Sequence, residues 1–466
     1  MSAVAQFVNE RSIIDAALAD LRKILDDRAT AGLAVREHHS HGESSHPPGM
    51  PDIVCFPLTT EEVSAIAKIS ARHRLPMIPF GAGTSLEGHV HATRGGISID
   101  LSRMNQILQV RPDDMDATVQ AGVTRDQLGK AVQPSGLTFF IDPGANATLG
   151  GMASTRASGT TAVRYGTMRE NVLGLTVVLA DGRIIHTGTR ARKSSAGYDL
   201  TRLFVGAEGT LGIITELTLR LHALPEALAV VRCAFATING AVETASEVIQ
   251  LGLSPARIEF MDDKLVRAIN RYSHTELLIA PTLLFEFHDI SEAALAETAS
   301  FAERLCVAHD ALNFAWETSP EGRDRLWKAR HDAYYATRAL RPGSLVLTTD
   351  VCVPISRLAE CVVAARAEID SSSFEATIVG HVGDGNFHVL CLYAPEQAAE
   401  VEGFAARLVE VALSMNGTCT GEHGIGVGKM KYLEAEHGDA IDVMRSLKRS
   451  LDPDNRMNPG KVVRLE

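Results

Sequence analysis

Glycine narrows most what this chain can become: 38 of its 466 residues are glycine, and many of them gather between positions 81 and 212. Such an accumulation points to a fold that brings backbone close to a large ligand. The first cluster follows a brief strand at 76–79 and reads Phe80-Gly81-Ala82-Gly83-Thr84-Ser85. Two familiar phosphate loops fail to match it. A dinucleotide fingerprint needs its third glycine three residues after the second, whereas Gly88 comes five after Gly83. A P-loop needs a lysine after its last glycine, and His89 stands there. A nicotinamide cofactor is therefore not expected. Glycines with Thr84 and Ser85 in a turn after a strand still aim several backbone N–H groups at a diphosphate, although a plain tight turn fits this loop equally well by itself. The second cluster, 143–159, has small residues almost throughout, as close approach to a cofactor and a snug helix on a sheet both require. The third, 203–212, ends the glycine-rich half.

Around these loops the pattern alternates short strands and helices. Thr59 or Thr60 caps a helix with Glu61 and Glu62 in its first turn, running to about His73. Strands are expected at 96–101 and 117–121, a helix at 124–132, a hairpin over 172–186 and a strand at 213–221. Pro225 marks a boundary. Beyond it, strands at 230–236, 257–261, 283–287 and 346–351 alternate with helices at 241–250, 292–306, 323–340 and 355–369, and further helices follow at 402–415, 430–436 and 440–451. Residues 462–463 offer one last strand. The class is α+β, with a second domain capping the first.

The totals remove several functions. A chain of this length needs two or three domains, and 45% hydrophobic with 22% charged residues is globular. A formal charge of −12 without any basic block argues against nucleic acid as a partner. Seven cysteines without a CxxC pair indicate buried thiols in a reducing compartment rather than disulfides or an iron–sulfur centre. No run reaches 18 apolar residues, so no membrane span is expected. The opening MSAVAQFVNE lacks a basic region followed by an apolar one, and a cytoplasmic location is expected.

The chemistry concentrates late, in IVGHVGDGNFH at 378–388. If 383–386 is the loop of a hairpin, Val382 pairs with Phe387 and His381 lies directly across from His388, with Cβ atoms about 5 Å apart. Two imidazoles so placed can close on one metal ion. Two polar residues on a solvated hairpin face read equally well. Downstream, Gly421-Glu422-His423-Gly424 offers a carboxylate and a further imidazole in a glycine-rich loop.

Taken together the motifs resemble the FAD-dependent D-2-hydroxyacid dehydrogenases of the vanillyl-alcohol-oxidase-like superfamily, within them the branch that oxidises D-lactate and passes electrons to a cytochrome. They are PFGAGTSLEG (79–88), PGANATLGG with ASGT (143–160), AVRYGTMREN (162–171), FVGAEGTLG (204–212), TDVCVPISRL (349–358), GHVGDGNFH (380–388) and GTCTGEHGIG (417–426). The resemblance implies an FAD domain of two α+β subdomains over 1–222, a substrate or cap domain over 223–425, and a C-terminal helical extension at 426–466 packing back on the first. It implies non-covalent FAD held by Pro79, Gly81, Ala82, Gly83, Thr84, Ser85 and Gly88, by Pro143, Gly144, Ala145, Leu149, Gly150, Gly151, Ala153, Ser158 and Gly159, and by Tyr165 and Gly166. Glu208, Gly209, Gly212, Ile213, Ile214 and Asn458 complete that set. His381, His388 and Glu422 match the ligands of a divalent metal, His423 the base, and Arg330 the arginine that clamps the substrate carboxylate.

These assignments suit the chemistry. Oxidising a 2-hydroxy acid removes a hydroxyl proton and a hydride from Cα, which calls for a base near neutrality, a carboxylate clamp and an acceptor. Two imidazoles and a carboxylate favour zinc and admit manganese. Where the related hydroxyglutarate enzyme has a lysine this chain has Thr348, where it has asparagine this chain has Leu390, and Tyr334 replaces a threonine. The substrate expected is D-lactate or a similar D-2-hydroxy monocarboxylate, ahead of D-2-hydroxyglutarate or glycolate, with cytochrome c or a quinone as acceptor and a homodimer compatible with the pattern. A non-catalytic flavoprotein-like subunit is the reading from another class.

Overall fold

The computed structural model describes residues 3–465, which fall into two compact units. The first holds the chain through Ser158, then Thr167–Ala223, and the stretch from Glu422 onward. The second holds Gly159–Gly166 and Leu224–Gly421. The divisions at 223/224 and 421/422 stand beside the expected 222/223 and 425/426, and the short piece Gly159–Gly166 counts with the second unit rather than the first.

The first unit has two main sheets and a two-stranded ribbon of Leu137–Thr138 with His222–Ala223. The smaller main sheet runs in the order Ala29–Thr30, Ile53–Cys55, Ile97–Asp100, Met77–Phe80, with the last three parallel to one another. Parallel strands buried on both faces read as continuous apolar runs, and Ile53, Val54, Cys55, Ile97 and Ile99 are all buried. The larger sheet is antiparallel, in the order Ile107–Arg111, Asp116–Gln120, Ile213–Arg220, Val172–Val178, Ile184–Gly188. The helix Thr60–His73 is capped by Thr59, whose side chain accepts from the Glu62 amide, and Val63, Ile66, Ala67 and Ile69 on one of its faces enter the common core. The tail closes this unit. Met77 donates its amide to the Arg456 carbonyl at 2.7 Å and accepts from Asn458 at 2.8 Å, so residues 456–458 lie along the outer edge of Met77–Phe80. No strand forms at 462–463, where Val462 takes a φ of +62°.

The second unit is built on one antiparallel sheet, ordered Ala311–Glu317, Ala227–Phe235, Thr282–Asp289, Arg257–Met261, Glu375–Gly380, Asn386–Tyr393, Leu345–Thr348. Two elements escape a reading of the sequence. Ala311–Glu317 is a half-exposed edge strand whose apolar residues are interrupted by Asn313, and Asp263–Tyr272 is a helix capped by Asp262 through the Leu265 amide. The helix expected over 323–340 is two, Pro320–His331 and Ala333–Leu340, divided at Asp332, whose ψ of −3° ends the first. The hairpin register also differs from expectation. His388 pairs with Val379, not His381, because the connection is longer than four residues. It contains the turn Val382–Asp384 and Gly385 at a φ of +80°, closed by Asn386 donating its amide to the His381 carbonyl at 3.3 Å. Among the described residues no helix is long and apolar enough to cross a membrane.

Candidate active site

In the first unit the glycine loops converge on one cleft of about 1200 Å³, measured with its open mouth. Pro79, Gly81, Ala82, Gly83, Thr84 and Ser85 form one wall; Pro143, Ala145, Gly150, Gly151 and Ser158 form another; Glu208, Gly212, Ile214 and Asn458 complete it. Glu422 and His423 line the same cleft. No lysine or arginine does. A diphosphate here would meet backbone N–H groups and the hydroxyls of Thr84 and Thr148, while Ser154 and Thr155, which also line the cleft, donate theirs to the Gly150 and Gly151 carbonyls; Thr148, Ser154 and Thr155 were not singled out in the sequence. Ser85 Oγ is buried without a hydrogen-bond partner among the described residues, a polar atom placed for a ligand. The donor set fits FAD.

The small residues are needed at contact distance. A Cβ on Gly150 would stand 2.6 Å from the Ala121 Cβ and 2.9 Å from the Ala121 carbonyl oxygen. Gly150→Ala is therefore expected to cost about 1–3 kcal/mol through overpacking and to lower bound flavin per chain, read from the flavin-to-protein absorbance ratio beside the melting temperature. Other expected contacts lie outside the lining. Leu149, Ala153 and Ile213 are packed in the apolar core. Gly88 and Gly209 give space to neighbours, a Cβ on them meeting Val427 at 2.7 Å and Pro79 at 2.3 Å. Gly144 takes a φ of +82° in open space. Gly159, Tyr165 and Gly166 belong to the second unit, where the Tyr165 hydroxyl is hydrogen-bonded to His288 Nδ1 at 2.7 Å.

Glu208 does more than line the cleft. Its carboxylate accepts from the Ile425 and Gly426 amides at 2.7 and 2.8 Å and lies 3.2 Å from His89 Nε2. Burial alone would push its pKa up, but His89 and the two amides hold it below the ordinary range. A buried anion thus fixes the loop that carries His423. Ser158 Oγ donates to Glu422 Oε2 at 2.8 Å and orients that carboxylate. Asn458 donates to the His89 and Glu208 carbonyls at 3.0 and 2.7 Å, tying the tail to the same wall.

In the second unit the rings of His381 and His388 are 5.5 Å apart and nearly perpendicular. His381 follows the strand Glu375–Gly380 and His388 lies on Asn386–Tyr393. Each has its Nδ1 committed: His381 to Glu259 Oε1 at 2.6 Å, His388 to the Thr349 carbonyl at 3.0 Å. Carboxylates and carbonyls only accept, so Nδ1 carries the proton in both rings, and the neutral ring then has its lone pair on Nε2. That is the tautomer of a metal-ligating histidine with its ring held from behind. Arg330, near the end of Pro320–His331, donates Nε and Nη2 to Glu259 Oε2 at 2.9 and 2.5 Å. Burial pushes the Glu259 pKa up, and Arg330 and His381 more than reverse it, so this buried carboxylate is ionised. Glu259 had no motif to reveal it.

The family described as FAD linked oxidases, C-terminal domain, matches residues 224–462, and the FAD binding domain family matches residues 51–188. The chain belongs to the FAD-linked oxidases. This FAD-linked oxidase is 50% identical over 468 residues to a Danio rerio protein named probable D-lactate dehydrogenase, mitochondrial, a match spanning 99% of this chain and 94% of the relative. It is 43% identical to the mitochondrial D-lactate dehydrogenase [cytochrome] of Arabidopsis thaliana over 96% of this chain and 80% of the relative. p-Cresol methylhydroxylase shares the fold at 18% identity, with a TM-score of 0.78 over 97% of this chain and 96% of that one. The fold is therefore that of the vanillyl-alcohol-oxidase type, and the protein is an FAD-dependent oxidoreductase. The expected cytoplasmic location does not stand, since both relatives are named mitochondrial. That expectation rested on what the N-terminal stretch lacks, and such an absence carries no information about compartment.

Proposed function

We propose that this FAD-linked oxidase converts D-lactate, or a D-2-hydroxy acid of similar size and single charge, to the 2-keto acid in mitochondria, and passes the electrons to a cytochrome- or quinone-type acceptor. The observation that carries the reading is the pair of facing imidazoles, His381 and His388, of which His381 shares Glu259 with Arg330 while His388 is held by the Thr349 carbonyl. Arg330 grips the substrate carboxylate through a planar fork. His423, on the loop fixed by Glu208, takes the hydroxyl proton, a task suited to an imidazole near neutral pH. His381 and His388 offer Nε2 to a divalent ion, zinc or manganese, and Glu422, one peptide beyond Gly421, supplies the carboxylate ligand. Such an ion, when bound, acidifies the substrate hydroxyl and orients it. FAD, when bound without a covalent tether, accepts the hydride from Cα. The names of the Danio and Arabidopsis relatives support D-lactate as substrate, and the Arabidopsis name a cytochrome as acceptor.

The choice among hydroxy acids follows from charge. Thr348 and Leu390 are opposed on neighbouring strands, Leu390 buried in an apolar cluster, and Tyr334 is partly exposed on Ala333–Leu340. None is a cation. Three cations of the same unit are engaged elsewhere: Arg257 with Glu286, Lys328 with Asp332, Arg366 with Asp262. A second carboxylate, as in D-2-hydroxyglutarate, finds no charged partner, at a cost of about 2–5 kcal/mol, or roughly 30-fold to several-thousand-fold in rate. Anaerobic bleaching of the flavin by a panel of D and L acids tests this. D-lactate or D-2-hydroxybutyrate should reduce it fastest; faster reduction by D-2-hydroxyglutarate, or by L acids, would overturn the assignment.

A further inference from the structure

We propose that Glu259 is a positioning residue that serves two functional groups at once, setting the ligating nitrogen of His381 and the free edge of Arg330. The inference rests on the reading of His381 as a metal ligand and Arg330 as the carboxylate clamp, and it adds a residue that neither motif contains. Glu259 sits at the centre of the short strand Arg257–Met261, its side chain fully buried. The next residue, Phe260, is paired with Gly380, immediately before His381. One carboxylate oxygen, Oε1, takes the His381 Nδ1 proton at 2.6 Å; the other, Oε2, takes Nε and Nη2 of Arg330.

The two oxygens are not interchangeable with an amide. Both neighbours are donors, and a carboxylate accepts from both. Arg330 presents N–H groups along two edges, and Glu259 occupies the Nε–Nη2 edge, which directs the Nη1–Nη2 edge to the substrate. Because Glu259 already balances the guanidinium charge, the clamp meets its substrate as a neutral pair. Carboxylate binding then relies on geometry and on the metal's charge. In Glu259→Gln one end must be NH₂. If the amide oxygen faces Arg330, the NH₂ faces His381 Nδ1, which must then be the acceptor, and the proton moves to Nε2, the nitrogen a metal needs. If the oxygen faces His381, the NH₂ meets the guanidinium, donor against donor.

The test uses the FAD-loaded full-length chain, stripped of metal and titrated with Mn²⁺ by electron paramagnetic resonance and with Zn²⁺ against a chromogenic chelator. Glu259→Gln should weaken metal binding by about 10–100-fold, with flavin content near wild type and a lowered melting temperature because Arg330 loses its buried counter-charge, and should raise KM for D-lactate. Arg330→Met should leave metal affinity near wild type, since the His381 contact to Oε1 persists, and His381→Ala should lose it. Wild-type metal affinity in Glu259→Gln beside a clear loss in His381→Ala overturns the proposal while the metal reading stands. Wild-type affinity in both overturns the metal reading and the proposal with it. Should the amide variant not accumulate as folded protein, Glu259→Asp is read the same way: drawn back by one methylene, it cannot reach both donors, and undiminished affinity there overturns the proposal.

Discussion

Arg330→Met is expected to lower kcat/KM for D-lactate by roughly 30-fold to several-thousand-fold, the loss that follows when a charged partner is taken from a desolvated pair. The side chain is nearly buried and its guanidinium is held against Glu259, so the clamp is preformed and forms no new order on binding. The same substitution leaves Glu259 buried with His381 as its remaining hydrogen-bond partner, and breaking one member of a buried pair costs about 3–5 kcal/mol. The two effects separate in the double variant Arg330→Met/Glu259→Gln. It removes the stranded charge and should regain much of the lost melting temperature, yet it should recover no activity. Steady-state kinetics and thermal unfolding of the three variants decide the matter. Activity that returns together with stability would mean that Arg330 only holds the fold.

What the sequence makes legible divides along physical lines. Local signals survive: the Thr59 cap, the helix expected at 124–132 and observed over Arg125–Val132, and the strand Arg257–Met261 depend on neighbours within a few residues. Connections that turn on backbone detail do not. His381 and His388 come together, but by way of a turn at 382–384 and a glycine at positive φ, not by the direct cross-strand pairing that the spacing implies. Ala311–Glu317 is an edge strand paired on one side only, and its Leu312 and Trp316 stay half-exposed rather than marking a buried strand. The glycine loops announce a large ligand, whereas Thr148, Ser154 and Thr155 look in sequence like any small polar residues. Glu259 is hardest of all. A buried carboxylate is recognised by the donors around it, and those donors lie 71 and 122 positions away.

The largest effect is expected at His388. His388→Ala should abolish tight binding of a divalent ion and reduce D-lactate oxidation by at least a hundredfold, while the flavin stays bound. Three ligands of the composition proposed bind as a set, and losing even a partner behind a ligand typically costs 10–100-fold in affinity. Losing the ligand itself costs more. His388 has little freedom to be replaced by a shifted neighbour: it is 6% exposed, it lies within a ladder that fixes it opposite Val379, and its Nδ1 is anchored on the Thr349 carbonyl. Alanine keeps the strand pairing, since no backbone group changes, so the second unit should remain folded. The flavin should remain too, because the cleft that accommodates it is lined by residues of the first unit alone. Elemental analysis gives metal per chain, the visible spectrum gives flavin per chain, and anaerobic bleaching by D-lactate gives the rate. Chelator-treated wild type should match the variant and regain activity when the ion is restored, whereas the variant should not. Equal metal content and equal bleaching in the variant and the wild type would reduce the two imidazoles to structural residues.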